Sequence, residues 1–365
     1  MKIKLLFIVL LSFIFTHQSN AQSNSIKVIG YFSGRAEQVE GIPAEKLTHI
    51  IFSFCHLKGN RLRVDSSPDS LTITKLVGLK KINPQLKVIL SLGGWGGCAP
   101  CSNAFSTKDG RTESSKSVHL LSEYFHTDGI DLDWEYPAIE GYPGHAYKSS
   151  DRGNFTELIK SLRQELGTKQ EISFAAGGFK KFMEESVDWQ TVMPLVDRVN
   201  LMTYDLVNGY STVTGHHTPL YSSAKQPEST DFAVQYLIKK GIPKDKLVIG
   251  AAFYGRMWED VPAINNGLYQ SGKFKAGVDY KNIIQELTPA NGFQYFWDDA
   301  TQAPYVYNAA KKLFATYDDK RSIKMKTNYV FDQGLQGIMF WELTSDNYSD
   351  GLLAEIDRVK KSKRK

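Results

Sequence analysis

The chain has 365 residues, of which 42% are hydrophobic and 12% aromatic, and its formal net charge is +5. This composition supports a large core and excludes a disordered or low-complexity chain, while three cysteines are too few for a fold held together by disulfides. The positive charge lies at the two ends, in Lys2, Lys4 and residues 360–365, and the remainder is slightly acidic without a basic, aromatic-interleaved patch. We therefore expect no nucleic-acid partner.

The first 21 residues have the pattern of a secretory signal peptide. Lys2 and Lys4 precede an apolar run from Leu5 to Phe15, and small residues lead to Ala21. The run is too short for a membrane span, and no later segment is long and apolar enough to form one. The sequence therefore predicts a secreted protein, extracellular or periplasmic, with a mature part of residues 22–365. Residues 358–365 form a basic tail that we expect to be a frayed, solvated end.

Eight short apolar or β-branched runs alternate with amphipathic or polar stretches. Such alternation favours a parallel sheet, and eight units favour an α/β fold closed into a (β/α)8 TIM barrel. The predicted strands are Ile26–Phe32, His49–Phe54, Lys87–Leu92, Gly129–Trp134, Glu171–Ala176, Val199–Tyr204, Leu247–Phe253 and Gln336–Trp341.

The interval between the last two predicted strands is much longer than a βαβ crossover, which takes roughly 30 residues in all. Residues 257–320 within it are rich in aromatics, and Asn-Gly pairs separate short strand-like runs. We interpret them as a small α+β subdomain inserted between strand 7 and helix 7. At this position the subdomain would form one wall of a cleft.

The densest chemical signal lies on the fourth predicted strand, which runs from Asp128 to Pro137 as DGIDLDWEYP. Because side chains alternate along a strand, Asp131, Asp133 and Glu135 share one face. The opposite face is apolar and would meet the helices, so the acids must point into the barrel. Neighbouring buried carboxylates resist simultaneous ionisation, and one keeps its proton. Glu135, nearest the carboxyl end of the strand, is the candidate general acid.

The three acids could have two roles other than acid catalysis. They could be solvated groups on an edge strand, or ligands of Mg²⁺ or Ca²⁺. The apolar residues between them speak against the edge strand. No cluster containing His and no Gly-rich phosphate loop accompanies the acids, so we expect neither a metal nor a cofactor.

Five segments together resemble the family 18 glycoside hydrolases, the chitinases. Asp128 to Glu135 match the DxxDxDxE signature of the family, and its SxGG and MxYD elements correspond to the third and sixth predicted strands. The eighth predicted strand ends in the tryptophan of the family, and the insert opens as in chitinases with an α+β insertion domain. The corresponding segments are Ser91–Gly94, Met202–Asp205, Gly337–Glu342 and Phe253–Arg256.

The resemblance implies a retaining, substrate-assisted mechanism, an exception to the scheme with two catalytic carboxylates. Glu135 would protonate the glycosidic oxygen while the acetamido carbonyl of the substrate attacks the anomeric carbon to give an oxazolinium ion. Asp133 would orient the acetamido group, and Asp131 would complete a proton relay beneath Asp133. Tyr204 would donate a hydrogen bond to the acetamido oxygen, and Asp205 would hold the sugar and the acid in register.

Aromatic side chains suit the apolar faces of sugars. Trp341 would underlie the sugar that is cleaved, and Tyr31, Trp95 and Trp258 are further candidate walls. The remaining substrate-binding candidates come from the matching motifs and are Tyr136, Met202, Tyr254 and Arg256. The implied partner is chitin or an N-acetylglucosamine oligosaccharide, bound by a monomer.

We also predict roles for several polar residues outside these motifs and for the cysteines. Ser91 would be a small residue hydrogen-bonded to Asp131 rather than a nucleophile, since no His is spaced to activate it. We expect His216 and His217, in the loop after the sixth predicted strand, to contact substrate or to be exposed. Cys98 and Cys101 could form a tight disulfide that braces a cleft loop, and zinc or redox roles lack a second cysteine pair.

Two rival functions share the motif. One is an endo-β-N-acetylglucosaminidase that trims N-linked glycans, but the insert favours a linear polymer. The other is a non-catalytic chitinase-like lectin, a class that typically lacks the acid found here at Glu135.

Overall fold

The computed structural model describes residues 25–363. The predicted signal peptide therefore lies outside the described residues. Numbered in chain order, the eight barrel strands are β1 (Lys27–Phe32), β2 (His49–Lys58), β4 (Lys87–Gly93), β5 (Gly129–Asp133), β6 (Glu171–Gly177), β7 (Arg198–Met202), β8 (Leu247–Ala252) and β14 (Gly337–Trp341). A short strand, β3 (Arg61–Arg63), pairs with the end of β2.

The eight strands are parallel and close on themselves. β1 pairs with β2 on one side and with β14 on the other, and each remaining neighbour is the next barrel strand along the chain. This confirms the predicted (β/α)8 barrel. The strand edges that would otherwise be unpaired are removed by closure.

Helices cover the outside of the barrel. They are α1 (Ser67–Gly78), α2 (Cys101–Ala104), α3 (Lys108–Phe125), α4 (Asp151–Leu166), α5 (Lys180–Glu185), α6 (Trp189–Val192), α7 (Thr230–Lys239), α9 (Lys320–Gln333) and α10 (Leu352–Lys363), while α8 (Tyr280–Glu286) belongs to the insert. Short 3-10 turns lie at Ala36–Val39, Ala44–Lys46, Leu79–Lys81, Lys244–Lys246, Ile264–Gly267, Pro289–Asn291 and Leu343–Ser345. No helix among residues 25–363 is long and apolar enough to cross a membrane.

The ends of the helices follow local chemistry. Asp319 caps α9 by accepting a hydrogen bond from the Ser322 amide at 2.7 Å, and the Ser322 hydroxyl accepts one from the Asp319 amide. Gly334 ends the same helix at a φ of 67°, a conformation that costs glycine least. At the C-terminus, α10 continues through Lys363, so residues 358–363 are helical and the expectation of a frayed end is wrong for them.

Alternation along the barrel strands separates two cores. Side chains such as Ile130, Leu132 and Trp134 point outward into the large cluster shared with the helices. The interior holds a smaller cluster that includes Tyr31 and Met202. The acids of β5 are on the interior side, which places polar groups where a barrel usually packs aliphatic layers.

The insert between β8 and α9 is built on a five-stranded antiparallel sheet. Its strands, in the spatial order β10-β9-β13-β12-β11, are β9 (Tyr254–Glu259), β10 (Lys273–Asp279), β11 (Gln294–Asp298), β12 (Ala303–Asn308) and β13 (Leu313–Tyr317). Each face of the sheet buries a separate apolar cluster.

A buried ion pair joins the insert to the barrel. Lys326 on α9 and Asp318 at the end of the insert are both inaccessible to solvent, with Nζ and Oδ2 2.7 Å apart. Asp318 also accepts the Ala252 amide of β8 at 3.0 Å, and Lys326 donates to the Thr218 hydroxyl at 2.5 Å. Because one carboxylate engages the barrel, the insert and the loop after β7, these three parts are held in one arrangement.

Candidate active site

Asp131 is the deepest of the three acids on β5 and is completely buried. Its oxygens accept hydrogen bonds from Tyr31 at 3.0 Å, Ser91 at 3.2 Å, Ser173 at 2.6 Å and Asn200 at 3.1 Å. Burial raises the pKa of Asp131, and the hydrogen bonds oppose this rise. The bond from Ser91 confirms its expected structural role.

Asp133 lies one pleat nearer the cleft and is 4% exposed. Its Oδ1 atom is buried and has no hydrogen-bond partner among the described residues. Burial, and after it the charges of Glu135 and Asp131, raise the pKa of Asp133 well above its usual value. A buried carboxyl oxygen without a partner is costly, so this atom is poised to receive a proton or a donor from a ligand.

Glu135 follows the end of β5 and is partly exposed at the base of the cleft. Burial raises the pKa of Glu135 to about 7; Tyr136 opposes the shift by hydrogen bonding, and the charge of Asp205 adds to it. The Glu135 side chain can therefore hold a proton close to neutral pH, which suits a general acid.

Tyr204 and Asp205 follow β7 and lie opposite the acids. Burial raises the pKa of Tyr204 well above its usual value, followed by the effects of Tyr254, Asp133, Glu135 and Asp205, so its hydroxyl stays a donor. Among the described residues, that hydroxyl makes a weak 3.9 Å contact with the Met339 sulfur.

Asp205 is tied to the insert by Arg256 of β9. The guanidinium donates from Nε to Oδ1 at 2.7 Å and from a terminal nitrogen to Oδ2 at 2.6 Å. Burial alone would raise the pKa of Asp205, but His217 and Arg256 hold it well below its usual range. Asp205 is thus a fixed negative charge facing the acid.

Aromatic rings form the floor and one flank of the cleft. Trp341 lies parallel to Phe54, with ring centroids 5.6 Å apart and planes 15° apart, and it also contacts Tyr31 at 5.9 Å. Trp95 is 47% exposed and contacts Tyr136, Tyr142 and Tyr210 at centroid distances of 5.6–6.3 Å. The cleft has a volume of about 1060 Å³.

Most of the predicted site residues line this one cleft. These are Trp95, Asp133, Glu135, Tyr136, Met202, Tyr204, Asp205, Tyr254, Arg256 and Trp341. Asp131 and Tyr31 lie beneath it; Tyr31 is 1% exposed and holds Asp131, so its predicted contact with substrate is wrong.

Trp258 was predicted as a cleft wall, and this is also wrong. It shares a face of β9 with Arg256, but its ring is completely buried in the insert, and its indole N–H donates to the Ser211 carbonyl at 2.9 Å. Phe274 of β10 packs against it at 5.7 Å and itself lines the cleft. The neighbouring strand therefore supplies the wall in its place.

Other cleft and supporting residues were missed by sequence reasoning. Phe54, Tyr210 and Phe274 line the cleft, and Ser173 and Asn200 hold Asp131. None belongs to a recognised motif. The inward position of Ser173 and Asn200 on predicted strands was the available signal.

The two histidines after β7 are structural. Both are completely buried and neither lines the cleft, which contradicts the expectation of substrate contact or exposure. His216 bonds Asp298 of β11 at 3.1 Å. The Nδ1 atom of His217 lies 3.6 Å from Asp205. The loop folds inward because the insert covers it.

The cysteines behave as expected. Cys98 and Cys101 form a disulfide in the loop after β4, and Cys55 is a buried free thiol. Within residues 25–363 there is no group of three or more His, Cys, Asp and Glu side chains that could hold a metal ion.

A barrel with coupled acids at the carboxyl end of a strand, below an aromatic cleft, has the architecture of a glycoside-hydrolysing enzyme. The chain belongs to the glycosyl hydrolases of family 18, whose model matches residues 27–346.

Relatives with known names agree with this membership. Chitinase A1 of Niallia circulans is 29% identical over 94% of this chain, which spans 60% of that protein's length. Chitinase B of Serratia marcescens is 31% identical, with 86% of this chain and 76% of the relative covered. The solved structure of a family 18 N-acetylglucosaminidase from Paenibacillus barengoltzii superposes with a TM-score of 0.83 at 36% identity, covering 92% of this chain and 99% of that chain.

Proposed function

We propose that this protein is a chitinase that hydrolyses β-1,4-linked N-acetylglucosamine polymers or oligomers with retention of configuration. The observation that carries the proposal is the coupled pair Asp133 and Glu135 at the base of an aromatic cleft. The names of two relatives, both chitinases, support the choice of substrate.

Glu135 is the acid in this proposal. Its raised pKa lets it hold a proton near neutral pH and transfer it to the glycosidic oxygen as the bond breaks. The resulting carboxylate then removes a proton from the water that completes hydrolysis. The fixed charge of Asp205 helps to keep the proton on Glu135 before transfer, since it disfavours a second negative charge.

The nucleophile is the acetamido carbonyl oxygen of the substrate, which attacks the anomeric carbon and forms an oxazolinium ion. An internal nucleophile held in position has a high effective molarity. The unpartnered Oδ1 of Asp133 would accept the acetamido N–H and stabilise the positive charge that develops there. The Tyr204 hydroxyl would donate to the acetamido oxygen, and Trp341 would carry the apolar face of the sugar.

The test is the variant Glu135→Gln on N-acetylglucosamine oligomers. We expect turnover to be abolished while binding survives, because only the transferable proton is lost. Rates like those of the unmodified enzyme would rule out Glu135 as the acid.

For the unmodified enzyme, NMR should show the β-anomer as the first product; first release of the α-anomer would exclude acetamido participation.

Two alternatives have distinct signatures in the same assays. An endo-β-N-acetylglucosaminidase would cleave an N-glycopeptide faster than a linear oligomer. A chitinase-like lectin would bind oligomers without turnover, which the presence of Glu135 in a proton-holding environment argues against. A time course on both substrates separates the three functions.

We further propose that the protein acts outside the cytoplasm as a monomer after removal of residues 1–21. The disulfide Cys98–Cys101 supports an oxidising compartment. Edman sequencing of the secreted protein should begin at Gln22, and an intact N-terminus in the secreted fraction would contradict the cleavage.

A further inference from the structure

The charged side chains that line the cleft are almost all acidic. Three of them, Glu140, Glu228 and Asp279, join Asp133, Glu135 and Asp205 around the same space, and Arg256 is the one cation among the described lining residues. Each of the three comes from a different part of the chain. Glu140 lies in the loop after β5, Glu228 precedes α7, and Asp279 ends β10 of the insert.

Two of these acids, Asp205 and Asp279, have a cationic partner. Arg256 is already engaged by both oxygens of Asp205. Asp279 is 44% exposed and has Lys281 at 3.6 Å, and it accepts the Ser345 hydroxyl at 2.9 Å.

Glu140 and Glu228 have no ion-pair partner within residues 25–363. Glu140 is exposed, and the Glu228 carboxylate accepts a hydrogen bond from the backbone amide of Lys180 at 2.9 Å. The cleft therefore presents a negative potential to any ligand that enters it, because the unpaired carboxylates of Glu140 and Glu228 lie at its low-dielectric walls even when Asp133 and Glu135 hold protons.

A fully acetylated chain of N-acetylglucosamine is uncharged and gains nothing from this potential. A chain in which some sugars carry a free amine is cationic at mildly acidic pH and does gain from it. The sugar at the cleaved bond must keep its acetamido group, since that group meets the unpartnered Asp133 oxygen and acts as nucleophile in the proposed mechanism.

We propose that the preferred substrate is a partially deacetylated N-acetylglucosamine chain, with an acetylated sugar at the cleaved bond and protonated amines on its neighbours. This inference rests on the proposed function. It assigns Glu140, Glu228 and Asp279 to substrate selection through charge.

The first experiment compares hexamers that carry one free amine near either end with the fully acetylated hexamer, at about pH 5.5, where an amine is protonated. At about 20 mM salt we expect kcat/KM to be at least about threefold higher for the amine-bearing hexamers. At about 500 mM salt the ratio should fall towards one, because the Debye length shrinks to a few ångströms.

Carboxamide variants identify the groups responsible. Glu140→Gln and Glu228→Gln together remove two charges, and a glutamine at 228 keeps an oxygen to accept the Lys180 amide. The double variant should lose most of the preference at low salt. The control is Glu45→Gln, an exposed residue just before β2 at the opposite end of the barrel, which should keep the full preference.

The outcomes separate the two proposals. If none of the hexamers is cleaved, the proposed function fails. If the acetylated hexamer is cleaved but the ratio is one or lower at low salt, or is unchanged by salt, the preference for a cationic chain is overturned. A ratio that survives in the double variant would remove Glu140 and Glu228 from selection and overturn the assignment.

Discussion

The variant Glu135→Gln should make the protein more stable at alkaline pH as well as inactive. A raised pKa in the folded state means that ionising Glu135 costs more in the folded protein than in the unfolded chain. Protonated Glu135 therefore contributes to the free energy of unfolding. This contribution is fully present below the pKa of the unfolded chain, near 4.5, and is lost as the pH rises through the folded-state pKa of about 7. Glutamine cannot ionise and loses nothing over this range.

The size of the effect follows from the shift in pKa. An increase from 4.5 to about 7 corresponds to about 3 kcal/mol, at roughly 1.4 kcal/mol per pKa unit. The charge of Glu135 also raises the pKa of Asp133, so its removal makes ionisation of Asp133 less costly in the folded protein. Both effects make the variant more stable than the parent at high pH. For a chain of this length an unfolding entropy of about 2.1 cal/mol/K per residue converts 3 kcal/mol into about 4 °C.

Thermal unfolding of both proteins at about pH 4 and about pH 8 measures this effect. We expect the variant to melt about 4 °C higher than the parent at the upper pH, with little difference at the lower one. Glu45→Gln is the control, because it replaces an exposed side chain at the opposite end of the barrel, and it should melt close to the parent. An equal difference at both pH values would refute the raised pKa of Glu135.

Three further predictions test other parts of the site. Tyr204→Phe should lower kcat by about 10²-fold with a small change in KM, since the hydroxyl acts on charge that develops in the transition state; a change confined to KM would contradict this role. Lys326→Met should destabilise the protein by about 3–5 kcal/mol in denaturant unfolding, because it leaves Asp318 buried and unpaired, and a loss below 1 kcal/mol would show that Asp318 is solvated. Cys98→Ser should raise KM for oligomers more than it lowers kcat, since the disulfide with Cys101 braces the loop after Trp95, and unaltered kinetics would show that the loop holds itself.

Local periodicity was enough to place the acids. Side chains alternate along any strand, so Asp131, Asp133 and Glu135 fall on one face whatever surrounds them. The apolar residues between them then identify the other face as the one that packs against helices, and the structure agrees. Short apolar or β-branched runs located the boundaries of all eight barrel strands to within a few residues.

Aromatic residues outside the motifs were harder to place. The same alternation puts Trp258 and Arg256 on one face of β9. Arg256 lines the cleft, but Trp258 is buried because Phe274 from the adjacent strand covers it. His216 was expected near substrate or solvent, but it packs under the insert against Asp298. Both errors arise where a residue distant in sequence decides which side chain is covered.

The sequence by itself determined the barrel, the inserted segment, the family and the line of acids on one strand. Each of these depends on a short pattern whose physical cause is the geometry of the adjoining backbone. Tertiary structure alone decided the pKa values of the acids and which residues form the walls of the cleft. Glu135 is half-buried next to the charge of Asp205, and Asp205 is held by Arg256. These three residues come from the segments that follow β5 and β7 and from the insert. Such effects depend on distance in space and on exclusion of water, and neither is encoded in a local pattern.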